Sequence, residues 1–286
     1  MTQGKSVSNK RKFASRAALF DRPAVLFLPA SRPSAIEKAR ASDADMCILD
    51  LEDAVKPEDK DEARAAAVAA VEADWPMPVA IRMNAPGTRW HAADFAALSR
   101  SRADMLVVPL VGSVDDVEQV ASRAEQPVAA MIETARGVLA AEEISRVAAA
   151  LIVGTNDLAA DLRLPVGSGR NGMRHAIERV VLVARAAGIA AYDGVFNSLD
   201  DADGFAAEAC ESHMLGFDGK TIIHPKHIAP VQEAFRPADA DVERARRLIA
   251  AAGETQGMGA INFEGEMVEA MHVATARRML ERAERR

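Results

Sequence analysis

Two apolar runs in this sequence each end in a carboxylate. Val128-Ala129-Ala130-Met131-Ile132 closes in Glu133, and Leu151-Ile152-Val153-Gly154-Thr155-Asn156 closes in Asp157. The stretch between them, Thr134 to Ala150, has the length of one turn and one helix. The pattern is strand, helix, strand, with an acid after each strand. If the strands are parallel neighbours, Glu133 and Asp157 stand side by side on one rim. Two carboxylates held there repel unless something positive lies between them. A hard cation such as Mg²⁺ fits, because it takes oxygen ligands and is often held by only one or two protein carboxylates. The alternative is two strand-end acids facing water, and these two segments alone leave both open.

The ends of the other apolar runs carry related groups. Asp50, Glu52 and Asp53 close the second run, Arg82 and Asn84 the third, and Asn156 stands beside Asp157 after the sixth. Asp193 belongs to the seventh run, and Asp218 with Lys220 to the eighth. Several acids around one arginine at a common mouth suit metal-assisted chemistry on an oxyanionic substrate. Each residue also has a plainer use. Asp50 could cap a turn, Asp53 the next helix, and Arg82 could simply neutralise the acids. Gly167-Ser168-Gly169-Arg170-Asn171-Gly172 matches a dinucleotide fingerprint, but the stretch before it, Leu162-Arg163-Leu164-Pro165-Val166, is a weak strand candidate. A flexible active-site loop suits that segment better. His224 and His227 lack a metal-ligand spacing and read as structural, and no nucleophile elbow or phosphate loop occurs.

Something must position these residues. Apolar runs at 24–29, 45–51, 78–83, 105–111, 128–133, 151–157 and 189–196, with an eighth within 214–223, alternate with helical stretches. These include 34–41, about 57–73, 92–101, 114–124, 173–187 and 203–211. The strands are short and mostly apolar rather than strictly alternating, as a sheet covered on both faces requires. Alternation implies a parallel sheet, and eight units favour a closed (β/α)₈ TIM barrel, with its active site at the C-terminal ends of the strands. The barrel is placed at residues 23–235. Residues 236–286 form a C-terminal helical extension or lid, with helices at about 239–252 and 266–285 around a glycine-containing break. Residues 1–22 carry six basic side chains against Asp21, and read as a mobile basic arm.

The whole chain carries −7, so the body beyond the arm is strongly acidic, which argues against nucleic acid as a partner. No run of 18 apolar residues suggests a membrane span. Cys47 reads as a buried thiol, and it and Cys210 form no metal pattern; a cytoplasmic location is expected.

Phe27-Leu28-Pro29-Ala30-Ser31-Arg32-Pro33, Ile48-Leu49-Asp50-Leu51-Glu52-Asp53-Ala54-Val55, Ile81-Arg82-Met83-Asn84, Ile132-Glu133-Thr134-Ala135-Arg136-Gly137-Val138, Gly154-Thr155-Asn156-Asp157-Leu158 and Gly216-Phe217-Asp218-Gly219-Lys220 stand in that order. Together they resemble the successive motifs of the citrate lyase beta-subunit-like family, within the HpcH/HpaI aldolase/citrate lyase superfamily. The resemblance implies a (β/α)₈ barrel, Mg²⁺, an acyl-CoA or organic acid substrate, and a homotrimer or hexamer. By motif position, Glu133 and Asp157 would be the metal ligands. Arg82, with Glu133 and Asn84 nearby, would face the substrate carboxylate or developing enolate. Glu52 and Asp53 would hold metal-bound waters, and Arg32 and Lys38 would face the CoA. In Gly265-Glu266-Met267-Val268-Glu269, Glu269 stands where relatives with a lid bring an Asp over a neighbour's barrel. A second departure is Leu110 and Gly112, where relatives often show Lys and Glu. The implied chemistry is retro-Claisen cleavage of a citryl-, malyl- or citramalyl-CoA. Alternatives are a thioesterase using the same site, an aldolase on free hydroxy-keto acids, and a non-catalytic CoA-binding subunit.

Overall fold

In the computed structural model, which describes residues 16–254 and 260–284, eight parallel strands close into a barrel in sequence order. They are β1 (Ala24–Pro29), β2 (Met46–Asp50), β3 (Val79–Arg82), β4 (Met105–Val108), β5 (Val128–Ile132), β6 (Ala150–Val153), β7 (Ala190–Asp193) and β8 (Gly219–Ile222), and β8 returns to pair with β1. Residues of β2 to β8 are buried on both faces, which is why these strands read as apolar runs rather than alternating ones. The helices are α1 (Pro33–Arg40), α2 (Lys60–Val71), α3 (His91–Leu98), α4 (Val114–Ala121), α5 (Ala135–Ser145), α6 (Thr155–Asp161), α7 (Arg174–Ala187), α8 (Ala202–Leu215) and α9 (Ile228–Ala234). Helix α5 starts where Thr134 caps it, accepting a hydrogen bond from the Gly137 amide. Helices α7 and α8 both stop at a left-handed glycine, Gly188 and Gly216.

Part of the stretch expected to be a basic arm is structured. Residues 1–15 lie outside the described residues, but Arg16–Leu19 forms a 3₁₀ turn. Leu19 is fully buried among Val25, Met46, Ala149, Ala190 and Tyr192, at the N-terminal end of the barrel. The Tyr192 hydroxyl donates to the Leu19 carbonyl. This stretch therefore seals the barrel floor, because the first residues of the strands leave apolar side chains that water would otherwise reach.

The chain divides into two units, the first ending at Ala234 and the second running from Phe235. The second holds α10 (Asp239–Glu254), β9 (Ala260–Phe263), β10 (Glu266–Glu269) and α11 (Ala270–Glu284). Its own small core contains Leu248, Phe263, Val268 and Ala276. Here the expected helix from Glu266 gives way to an antiparallel hairpin. Glu264 and Gly265 both have positive φ, 53° and 85°, the geometry of a tight hairpin turn. Arg244 and Arg247 of α10 pair with Glu264, and Arg244 also with Glu266. Glu269 ends β10, exposed, and its amide donates to His272 Nδ1.

Candidate active site

A cavity of about 360 Å³ opens at the C-terminal ends of the strands. Glu133, Asp157, Arg82, Asp50 and Asp53 all line it, so five of the charged residues picked out above meet in one place. Phe27, Met131 and Val153 give it an apolar floor.

Glu133 follows β5 and is only 1% exposed. One carboxylate oxygen accepts a hydrogen bond from the Leu110 amide at 2.5 Å. That amide is presented by a backbone with φ of 50°. The other, Oε2, is buried without a hydrogen-bond partner. A buried carboxylate oxygen without a partner is costly, so this atom is the strongest single pointer to a bound cation. Gly154 makes the space for it: a Cβ there would lie 2.0 Å from Oε2. Burial pushes the Glu133 carboxyl up to about 7; the Leu110 amide and Arg82 oppose this, and Asp157 adds to it. Asp157, on the first turn of α6, is also pushed up, by burial and then by Asp53. Two acids that resist ionisation together, one with a free oxygen, suit a divalent cation held by one or two carboxylates. Among the described residues no group of three or more His, Cys, Asp or Glu side chains has metal-binding geometry, so the remaining positions around such an ion would fall to water and substrate.

Arg82 ends β3 opposite these acids. Its Nε and Nη2 make a two-pronged ion pair with Asp50 at 2.6 and 2.7 Å. Its Nη1 lies 2.7 Å from Glu52 and 3.6 Å from Asp53. Phe27 lies 5.2 Å beneath the guanidinium. Burial works against the charge on Arg82, but Asp50 outweighs it and holds the guanidinium firmly protonated. Asp50 also accepts the Glu52 and Ala54 amides, so it shapes the turn as well as orienting the arginine. Burial, aided by Asp53, Glu133 and Asp50, pushes Glu52 up to about 8 despite Arg82.

The structure places other candidates elsewhere. Asn84 does not line the cavity: its amide nitrogen donates to Asp94 and its oxygen accepts from Lys60. Asp218 precedes β8 and faces the opposite end of the barrel, bonded to Arg185 and the Ala191 amide. Lys220 and Asp193 are fully buried but turned away from the mouth, toward α8, where Lys220 pairs with Asp193 and Glu208. Burial would raise the Asp193 carboxyl, but Lys220 and Arg170 hold it below the usual carboxylate range. Arg170, from the glycine-rich segment, is paired with Asp193, Glu208 and Glu211, and the segment does not line the cavity. His224 caps the turn at Lys226, and His227 stacks on Phe205, both structural as expected. Arg32 and Lys38 are exposed at α1, outside the cavity lining.

Sequence reasoning passed over Gly154, Lys60, Asp94 and Asn197. Lys60 was legible only as part of a charged helix. Asn197 lines the cavity and exchanges two side-chain hydrogen bonds with Asn156.

Residues 23–225 match the family model described as HpcH/HpaI aldolase/citrate lyase. The chain belongs to this family. A (3S)-malyl-CoA thioesterase of Cereibacter sphaeroides is 40% identical over 91% of this chain and 94% of its own. An L-malyl-CoA/beta-methylmalyl-CoA lyase of the same species is 33% identical over 91% and 93%. The crystal structure of CitE from Mycobacterium tuberculosis in complex with magnesium, acetoacetate and coenzyme A matches with a TM-score of 0.82 at 35% identity, covering 94% of this chain and all of that one. The two curated relatives are thus named a thioesterase and a lyase of CoA esters.

Proposed function

We propose that this chain is a Mg²⁺-dependent enzyme that cleaves a carbon–carbon bond in a short hydroxy-dicarboxylic acyl-CoA, of the citryl-, malyl- or citramalyl-CoA kind. The observation that carries the proposal is the unpartnered Oε2 of Glu133, buried on the same cavity as Asp157 and Arg82. Glu133 and Asp157 would hold the Mg²⁺. When bound, the ion would supply positive charge to the substrate's carboxylate and hydroxyl oxygens. Arg82 is fixed by Asp50 at two nitrogens, and its Nη1, which lies 2.7 Å from Glu52, is the donor proposed to serve the substrate. There it would favour negative charge developing on the thioester oxygen as the bond breaks. Its orientation is set before substrate arrives, so little reorganisation is needed. Phe27 and Met131 keep the floor of the site dry. Glu269 is the proposed acid–base group, and Arg32 and Lys38 the proposed CoA contacts. Magnesium and coenzyme A together in the CitE complex support the ligand classes.

A second reading, thioester hydrolysis, is favoured by the higher identity to the malyl-CoA thioesterase than to the malyl-CoA lyase. A panel of acyl-CoA esters with Mg²⁺ separates the two. Carbon–carbon cleavage releases a keto acid and acetyl-CoA with no free thiol. Hydrolysis of the thioester releases free thiol and no keto acid. Turnover of none of the panel would refute both. The assembly is proposed to be a homotrimer or hexamer in the cytoplasm. Among the described residues no helix is long and apolar enough to cross a membrane. A monomer by light scattering would refute the assembly.

A further inference from the structure

Behind the acidic turn lies a buried polar chain that does not touch the cavity. Lys60, on the first turn of α2, is 6% exposed. Its ammonium donates to the carbonyls of Leu51 and Glu52, both at 2.7 Å, and to Asn84 Oδ1 at 2.6 Å. All three of its N–H bonds thus have acceptors. Trp90 lies 5.2 Å beneath the ammonium. Asn84 in turn donates through its side chain and backbone to Asp94, which is fully buried and held by Arg64 at 2.7 Å. His91 Nδ1 lies 2.8 Å from the Asn84 carbonyl. The turn after β2 and the loop after β3 are therefore tied together from behind by one ammonium.

This tie matters for the mouth because of what the turn carries. Asp50, Glu52 and Asp53 hang from it, and they hold Arg82. Arg82 ends the very strand that leads into Asn84. A shift in the Leu51 or Glu52 peptide would move the acids that orient the guanidinium. We propose that Lys60 is a positioning residue for the active site: it fixes the Leu51–Glu52 peptides against Asn84, and so sets where Asp50 and Glu52 hold Arg82. Burying a lysine is costly, and burial does lower its pKa, against the opposing pull of Asp50, Glu52, Asp53 and Asp94. A merely structural position of this kind could be filled by an apolar side chain of similar volume. A lysine is required where three acceptors from two loops must converge on one donor.

The inference rests on the proposed catalytic role of Arg82, so the test must separate the two. Lys60→Met and Lys60→Arg are made in the full chain, with thermal unfolding and circular dichroism as controls. kcat and KM are measured on the acyl-CoA that the wild-type protein turns over, and Mn²⁺ binding is measured by electron paramagnetic resonance without substrate. Supporting side chains of this kind are worth about 10- to 100-fold in activity or metal affinity. Lys60→Met is expected to lose kcat by about that factor, with KM changed less than about threefold. Lys60→Arg, which keeps the charge and the donors, is expected to recover at least part of the loss. Mn²⁺ binding by Lys60→Met is expected to weaken, although removing a positive charge would by simple electrostatics strengthen it. Unchanged kcat, or an equal loss in both variants that tracks thermal stability alone, overturns the proposal. Unchanged or tighter Mn²⁺ binding also overturns it. If the wild-type protein turns over no acyl-CoA, the proposed function fails, and the Mn²⁺ measurement alone decides about Lys60. Should Lys60→Met not fold, Asn84→Ala removes one of the three acceptors and is expected to lower kcat in the same direction by a smaller factor. Wild-type kcat there would equally refute the tie.

Discussion

Replacing Gly154 by alanine tests the metal site through one methyl group. The added Cβ would lie 2.0 Å from Glu133 Oε2, 2.5 Å from its Cβ and 3.0 Å from its Cδ. Ordinary contact begins at about 3.4 Å, so the carboxylate oxygen must retreat by more than an ångström. It has little room to do so. Its partner oxygen is held by the Leu110 amide, and the Glu133 Cβ belongs to a residue just past a buried strand. Two effects follow. Overpacking of a tight interior costs about 1–3 kcal/mol, and in a chain of this size each kcal/mol lowers Tm by roughly 2–4 °C. Displacing a catalytic group by about 1 Å costs on the order of 100-fold in turnover. Gly154→Ala is therefore expected to weaken Mg²⁺ binding about 10- to 100-fold by calorimetric titration. A matched control is Gly253→Ala in α10, where nothing lies within 4 Å of the added atom. That change is expected to leave Mg²⁺ binding alone and to leave Tm level or slightly raised. If Gly154→Ala binds Mg²⁺ as the parent does and melts at the same temperature, Glu133 is not confined as described, and the metal assignment loses its main support.

The pH dependence of stability has a definite sign. Folding raises Glu133 from 4.5 to about 7 and Glu52 from 4.5 to about 8. Between those limits the folded protein keeps protons that the unfolded chain has released, so stability contributed by these groups falls as pH rises from about 4.5 to 8. The Tm of metal-free protein should decline over that range, and added Mg²⁺ should restore more at pH 8 than at pH 5; a metal-free Tm that rises with pH over this range refutes both shifts. Arg82→Gln leaves Asp50 and Glu52 buried without their partner and should cost about 3–5 kcal/mol in stability. Adding Asp50→Asn should recover part of that loss in a double-mutant cycle, and strict additivity would show that the pair is uncoupled. Leu19→Ala should cost about 2–5 kcal/mol by chemical denaturation, because the side chain is fully buried under the barrel floor. A cost near zero would mean that residues 16–22 behave as an arm after all.

The barrel was legible because strands buried on both faces leave continuous apolar runs, and the acids after β5 and β6 stand out against them. What the sequence could not reveal was the side of the wall that each polar residue faces. Asp218 and Lys220 sit in an apolar stretch that begins at Met214, yet α8 continues to Leu215 and Gly216 ends it with a φ of 94°. The strand starts only at Gly219, so Asp218 falls at the wrong end of the barrel for chemistry. Asn84 was misplaced for a related reason. It follows Arg82 by two residues, but β3 ends at Arg82, and the chain turns so that Asn84 reaches Asp94. The β9–β10 hairpin was hidden because Glu264-Gly265 is a weaker turn signal than Asn-Gly or Asp-Gly, and Met267, Val268 and the residues after them also fit a helix.

The charge balance of the mouth argues for a cation independently of any relative. Asp50, Glu52, Asp53, Glu133 and Asp157 gather round a single guanidinium, and Asp50 and Glu52 already occupy most of its donors. Lys60 adds a second positive charge, but its ammonium is spent on carbonyls and on Asn84 behind the turn. Above about pH 8, where Glu133 and Glu52 have both lost their protons, a dicarboxylic ligand entering this cavity meets more negative charge than positive. At an effective dielectric of about 20, a like-charge pair 4 Å apart repels by about 4 kcal/mol, enough to suppress binding about a thousandfold. At that pH, short dicarboxylates such as oxaloacetate should therefore bind only when a divalent ion is present. The measurement is calorimetric titration of oxaloacetate into the protein with Mg²⁺ and again with excess chelator. Equal affinity in both would mean that Arg82 alone carries the ligand's charge. Glu133 and Asp157 would then be sharing protons in the folded protein instead of holding a metal.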